Sequence, residues 1–546
     1  MSSFINERQA GWYTFSYSHR VTKGCPQGSI ADPGLWTIVH NNLLTIFNGP
    51  KDQLSQGYAD DTVILVSDRN SGNLPVLCNN LLEKVSNWSK SVNLPINYDK
   101  CTYIILSKNT PFQKSPRIII DGHRIPRVNN FTYLGVVLEQ QLQWTKHIDM
   151  VSAKAIQVSN ALNGIAKTSR GIRYNAARYI YLRAIEHILL YAAPIWAAAT
   201  QTMYIQRKLL KAQRIAALRI CRAYRTAPTS ALLVIAGLLP VYIKAKMARL
   251  IWNICNKMNG EVSNSSNSHN NILSVFPDQI KNDIANFGIE HKQANSNYYE
   301  DYPTLGDNCL SENVDSDISI YTDGSKNLTE VGAAFILYHH NTGITHRSAF
   351  KLGPHCTVPQ AEILAIVKAM DHVYSDWFPR NKTITIYTDS MTALNSIFSP
   401  HNRGENIAQI HRYLSTNSHK HAISFGWVRG HTGVPGNEAA DRLAKQAAAS
   451  SLIPCYNKIP ASKIKQWTWE FALSQWQEEW DNGSTGRLTH TFIPNVKERL
   501  KWKHLVPAFS MTQLITGYGN FNSYLKRFHL KDMDICPCDS ISIQDS

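Results

Sequence analysis

The sequence predicts a multidomain chain of the α/β class, in which two mixed α/β stretches are separated and followed by helix. Three observations carry this. Two short β-branched runs, Ile318-Ser-Ile-Tyr-Thr-Asp323 and Thr383-Ile-Thr-Ile-Tyr-Thr-Asp389, end on the same Tyr-Thr-Asp and read as buried strands. A stretch with apolar residues at helical spacing lies between them. Far upstream, Leu54-Ser-Gln-Gly-Tyr58-Ala-Asp60-Asp61-Thr-Val-Ile-Leu-Val66 reads as a hairpin with two acids at its tip, and residues 145–257 carry a helical pattern.

In chain order, Gly24-Cys-Pro-Gln27-Gly28-Ser-Ile is turn-rich and leads to the hairpin. Leu94-Pro-Ile-Asn-Tyr-Asp-Lys100-Cys and Phe131-Thr-Tyr-Leu-Gly135-Val-Val-Leu read as strand and turn. From Tyr204 to Arg225 there are seven basic residues and no acid, among them Arg207, Lys208, Lys211, Arg214 and Arg222. No ion pair can form within such a helix, and it suits tracking of phosphates, which needs cations but little sequence code. Residues 261–314 are acidic and rich in Asn and Ser, which predicts a linker. Pro359-Gln360-Ala-Glu362 opens a helix whose Ile363, Ile366, Val367 and Met370 form one apolar face. Trp427-Val-Arg-Gly-His431-Thr-Gly-Val-Pro-Gly-Asn437-Glu-Ala-Ala-Asp441 reads as a strand end, a loop and a helix start, with Asn437 as N-cap. The tail carries Trp467, Trp469, Trp476 and Trp480 on helices, where core packing is the expectation.

Composition narrows the function. The formal charge is +16, and residues 1–260 hold 31 Lys and Arg against 12 Asp and Glu, so the first half is the expected holder of nucleic acid. Ten cysteines without a framework spacing fit a reducing compartment. The N-terminus has no signal-peptide core, and the most apolar run, Ala184 to Thr200, includes Glu186 and His187 and is too short and polar to span a bilayer. A soluble intracellular protein without membrane contact is expected, nuclear and cytoplasmic location being equally open.

Ligands of an α/β sheet gather beyond the carboxyl ends of its strands. Asp323 and Asp389 would lie there side by side, and Glu362 and Asp441 could reach the same point from helix starts. Four acids together repel unless cations neutralise them, which implies hard, oxygen-seeking metal ions. Two magnesium ions about 4 Å apart would clamp a phosphodiester, and His431 is suited to moving a proton beside them.

The repeated Ile-Tyr-Thr-Asp and the Gly-His-Thr-Gly…Gly-Asn…Asp run closely resemble the type I ribonuclease H family over about residues 315–450. The resemblance implies that Asp323, Glu362, Asp389 and Asp441 hold Mg2+ (two ions, with Mn2+ as a substitute), that His431 aids proton transfer or product release, and that RNA–DNA hybrid is the partner and substrate. Gly324-Ser325 and Gln360 are expected to touch 2′-hydroxyls. Upstream, Pro-Gln27-Gly-Ser followed by Tyr-Ala-Asp60-Asp61 resembles the reverse transcriptases of non-LTR, LINE-type retrotransposons. This implies magnesium on Asp60 and Asp61, Gln27 under template and nucleotide, and Lys100 near the nucleotide phosphates. The family's third carboxylate matches nothing in residues 1–23, and Ala31-Asp-Pro-Gly34 departs from its pattern, so an inactive polymerase is expected.

The fold expected is therefore a partial reverse-transcriptase palm (α+β) over 1–140 and a helical thumb and connection over 141–260. The linker over 261–314 follows, then a ribonuclease H-like α/β domain with a mixed sheet over 315–450 and a helical tail over 451–546. Thr512 to Leu525 resembles the region that leads, in such elements, into a Cys/His motif. Of that motif only Cys536-Pro-Cys538 is present, and no structural zinc is expected. A fragment of a retrotransposon polyprotein, acting as a hybrid-specific ribonuclease, is the reading. A nucleic-acid-binding relic without activity, or a polymerase completed by another chain, are the alternatives. Oligomeric state is left open.

Overall fold

A computed structural model describes residues 3–10, 13–20, 30–47, 53–107, 115–161, 173–257, 273–290, 316–328, 330–339, 343–399, 404–416 and 420–543. The chain divides into two units, Met1–His147 and Ile148–Ser546.

In the first unit, β1 (Ser3–Ala10) pairs with β2 (Tyr13–Arg20), and β3 (Gln53–Tyr58) pairs antiparallel with β4 (Asp61–Val66). Two short hairpins follow, β5 (Ile119–Ile120) with β6 (His123–Arg124) and β7 (Asn130–Tyr133) with β8 (Val136–Glu139). Among the described residues these strands pair only two by two. The β7–β8 turn places Leu134 and Gly135 at φ 46° and 75°; a two-residue hairpin loop with both φ positive matches the natural strand twist. Helices Asp32–Thr45 and Leu74–Ser91 supply Leu43, Leu81 and Val85 to a small core, which Phe47, just past the first helix, completes.

The second unit begins with helices. Met203–Cys221 buries Leu209, Ala212, Gln213 and Ala216, and Thr229–Ala236 has six residues buried. Gln213 is wholly buried and fully used: its amide donates to Tyr181 Oη and to the Leu239 carbonyl, both at 2.9 Å, and its oxygen accepts from the Val241 amide at 3.0 Å. The tail completes this helical body. Helix Ala461–Asn482 packs on Val241–Trp252, with Tyr242 donating to Glu479. Thr512 donates to the Cys221 carbonyl at 2.7 Å, and the buried Arg499 donates to the Ile235 carbonyl. Trp467, Trp476 and Trp480 are buried as expected, whereas Trp469 is half-buried. Among the described residues no single helix is long and apolar enough to cross a membrane.

The stretch expected to be a linker is not one throughout. Asp278–Phe287 is a helix, and Phe276, Ile284 and Ile289 share a core with Ile254, Ile459, Ile464 and Trp467. The acidic, Asn-rich composition concealed Ile280, Ile284 and Phe287 at i, i+4, i+7, which is enough for one buried stripe.

Between these flanks lies one mixed five-stranded sheet in the order β11-β10-β9-β12-β13. β9 (Ile318–Asn327), β10 (Glu330–His339) and β11 (Gly343–Leu352) form an antiparallel meander. β12 (Lys382–Thr388) and β13 (His421–Trp427) add on parallel to β9. Strand alternation sends Ile318 and Ile320 into a core with Ile366, Val367 and Met370 of helix Val358–Val373. Tyr321 instead meets helix Pro435–Ala449, where a Cβ on Gly436 would lie 2.3 Å from its ring. That helix also crosses β10 so closely that a Cβ on Gly332 would sit 2.2 Å from the Ala444 carbonyl. Only glycine admits such contact between backbones.

Candidate active site

The parallel pairing of β9 and β12 sets Thr322 opposite Thr388, so Asp323, still within β9 and paired with Ala334 of β10, lies beside Asp389, which follows the end of β12. Thr322 ties the two strands again by donating to the Tyr387 carbonyl at 3.1 Å. Glu362 comes from helix Val358–Val373, whose start is fixed by Pro359 and by a capping box between Thr357 and Gln360. The helix is pressed on β9 at Gly324, where a Cβ would stand 2.5 Å from the Glu362 amide nitrogen. As a result Asp323, Glu362 and Asp389 each offer an oxygen within 4.8 Å of the others.

This cluster is costly by itself. Asp323 and Glu362 are 6% and 4% exposed, and Asp323 Oδ2 and Glu362 Oε2 have no hydrogen-bond partner. Burial, and then the charges of Asp389 and Asp441, push the Asp323 carboxyl up to about 7. Burial pushes Glu362 well above the usual carboxylate range, with Asp323 and Asp389 adding to it. Buried carboxylate oxygens this close together, two of them without a hydrogen-bond partner, favour a counter-charge, and an all-oxygen donor set suits a hard divalent cation.

Asp441 stands apart from the three: it is half-buried in helix Pro435–Ala449 and pairs with Lys445 at 2.8 Å. Its charge still acts on Asp323. His431 is exposed, at φ 57°, in the loop after β13. That loop runs against Asp389, since a Cβ on Gly430 would lie 2.8 Å from Asp389 Oδ2.

Two expectations fail here. Asn437 is not the N-cap, because the helix begins at Pro435 after Val434. Asn437 is buried in the first turn, and its amide donates to Asp389 Oδ2 at 3.3 Å. Pro435, already pre-set for a helix start, was the better signal. Gln360 cannot reach a nucleic acid: it is buried, its oxygen accepts from the Thr357 amide at 2.9 Å, and its amide donates to Glu290 at 2.9 Å.

The upstream acids are placed otherwise. Asp60 and Asp61 are exposed at the β3–β4 turn, and Lys100 is exposed at the end of a short helical turn, Tyr98–Lys100. Gln27 lies outside the described residues. Of the basic helix, Arg207, Lys211 and Arg222 are exposed. Lys208 is paired with Asp149 at 2.5 Å, and Arg214 donates to Thr229 and to the Arg225 carbonyl at 2.7 Å.

The sheet order, the two parallel strand ends and the acid cluster define a ribonuclease H-type domain. Residues 315–449 match the RNase H family, and residues 2–138 match the reverse transcriptase (RNA-dependent DNA polymerase) family. The chain thus carries both domains, and its homologues are the Pol proteins of the R1 and jockey non-LTR retrotransposons. It is 30% identical to the putative 115 kDa protein in type-1 retrotransposable element R1DM of Drosophila melanogaster, over 43% of this chain and 22% of that protein. To the RNA-directed DNA polymerase from mobile element jockey of Drosophila melanogaster it is 23% identical, over 39% of this chain and 24% of that one. The chain therefore spans about a fifth to a quarter of the length of these relatives. A crystal structure of LC11-RNase H1 in complex with RNA/DNA hybrid is 18% identical over 24% of this chain and 96% of that chain, with a TM-score of 0.21.

Proposed function

We propose that residues 315–450 hydrolyse the RNA strand of RNA–DNA hybrids with the help of two magnesium ions, within a retrotransposon-type Pol sequence. The observation that carries this is the meeting of Asp323, Glu362 and Asp389 with two buried oxygens left unpartnered. These three and Asp441 would hold the ions. When bound, the ions supply Lewis acidity towards the scissile phosphate and the attacking water. The chain's own residues do the rest. Asn437 orients the Asp389 carboxylate through Oδ2. His431, exposed in the loop beside Asp389, is assigned proton transfer to the leaving 3′ oxygen. Discrimination of RNA rests on sensing 2′-hydroxyls across a shallow minor groove. The exposed Arg207, Lys211 and Arg222 are proposed to hold nucleic acid.

The test is incubation of the purified chain with labelled hybrid, duplex RNA or duplex DNA, in magnesium or in EDTA. Magnesium-dependent cutting of the hybrid's RNA strand alone is expected, and Asp389→Asn should abolish it while hybrid binding stays. Binding without cutting by the unaltered chain would sink the nuclease reading in favour of a binding relic.

A further inference from the structure

The helix that carries Glu362 is held from outside the sheet, by chain on both sides of the domain. Upstream, Asp283 in helix Asp278–Phe287 meets His355 at 3.2 Å, in the loop just before the Glu362 helix. Seven residues on, Glu290 accepts the Gln360 amide at 2.9 Å. Downstream, the Cys455 amide donates to the Lys351 carbonyl near the end of β11 at 2.9 Å, and the Gly353 amide donates to the Tyr456 carbonyl at 2.8 Å, pinning the start of the same loop. The two flanks are also bonded to each other: the Glu290 amide donates to the Ile459 carbonyl at 2.9 Å, and the Ile459 amide to the Gly288 carbonyl at 3.0 Å. These ties converge on residues 353–360, the loop and first turn ahead of Glu362.

Gln360 is where the ties reach the active site. Its oxygen caps the helix through the Thr357 amide and hydroxyl, and its amide bridges to Glu290 upstream and, at 3.4 Å, to the Lys458 carbonyl downstream. Two residues later the chain is Glu362, whose backbone has no slack against Gly324. A helix start that rotates or slides must therefore move the Glu362 carboxylate relative to Asp323 and Asp389.

We propose that Glu290 and Gln360 are a positioning pair for Glu362, so that the segment ahead of the nuclease domain sets the geometry of its acid cluster. This rests on the ribonuclease H reading. Groups that orient ligating carboxylates typically change metal affinity or activity by about 10- to 100-fold when lost.

The test uses the full chain and two readouts, Mn2+ binding by electron paramagnetic resonance and single-substrate kinetics on hybrid. Asp389→Asn serves to assign the binding to the cluster. Glu290→Ala should weaken Mn2+ binding by about tenfold and lower kcat similarly, with KM changed less than about twofold. Glu290→Gln, which can still accept the Gln360 amide, should restore both. If Glu290→Ala does not fold, Gln360→Glu carries the test: it keeps the cap but sets two carboxylates together, and adding Glu290→Gln should rescue it. Variants that lose thermal stability alone, with metal affinity and kcat unchanged, would overturn the proposal. A wild-type chain that binds Mn2+ at the cluster but cuts no hybrid would instead overturn the nuclease reading, and metal affinity would still decide the pair.

Discussion

Twice this chain sets acidic side chains next to one another, and the two places have little else in common. Asp60 and Asp61 are neighbours in sequence, stand on a hairpin of two strands and are exposed. Asp323, Glu362 and Asp389 are up to 66 residues apart, come from three elements of a five-stranded domain, and two of them are buried. Water screens the first pair, so its charges coexist cheaply. The second group has exchanged water for protein, and burial, followed by the neighbouring charges, raises the proton affinity of Asp323 and Glu362. Among the described residues the second group alone is walled in, and a counter-charge is worth most where water is excluded.

The largest expected effect separates the two directly. Glu362→Gln should lower hybrid cleavage on the order of 10³-fold, the loss of several kcal/mol of charge stabilisation. Asp60→Asn with Asp61→Asn should leave cleavage by the same chain unchanged. Equal losses from both, measured by initial rates at saturating magnesium, would break the comparison.

The next effect is on stability. Asp323 holds its proton in the fold up to about 7, whereas an unfolded Asp releases it near 3.9. The folded state therefore binds more protons over that window, so stability is fully present below about pH 4 and is lost as pH rises through about 7. Calorimetry in EDTA should show the nuclease transition falling by a few degrees between pH 5 and pH 7.5. Magnesium should reverse the fall, by about 2.7 kcal/mol at a hundred times its Kd. A transition indifferent to both would mean that the cluster is hydrated.

The smallest effect concerns two glycines. Gly324→Ala drives a methyl into the Glu362 backbone, and Gly57→Ala drives one into the His40 ring at 2.0 Å. Overpacking of this kind costs about 1–3 kcal/mol. A ring can turn aside and a helix backbone cannot, so Gly324→Ala should be the costlier in denaturant titrations, and it alone should also reduce cleavage.

Much of this was legible because it is local. Two Tyr-Thr-Asp strands, a turn at Asp60 and an apolar stripe through Ile366, Val367 and Met370 are written in neighbouring residues. The meeting of Asp323 with Asp389 needed one further rule, that ligands gather at carboxyl ends of strands. What stayed hidden is what polar residues do once buried. Gln360 and Asn437 look like solvent-facing residues at a helix start, yet each is consumed by a partner distant in sequence, Glu290 and Asp389. The helix Asp278–Phe287 was masked by its composition, and the tail's apolar stripe (Ile464, Trp467, Trp476, Trp480) does not name the helix it packs on.

The helical body is made from two lengths of chain, residues 173–257 and 461–527, with the nuclease domain issuing between them. Synthesis runs one way, so the earlier helices leave the ribosome roughly 10–40 s before their partners exist, at ordinary elongation rates. Through that interval the surfaces later covered by Arg499, Glu479 and Thr512 are bare, and the nuclease sheet gains its last strand before they are covered. Nascent chains halted near residue 455 should thus be protease-sensitive in the helical part, a window in which a chaperone has something to hold.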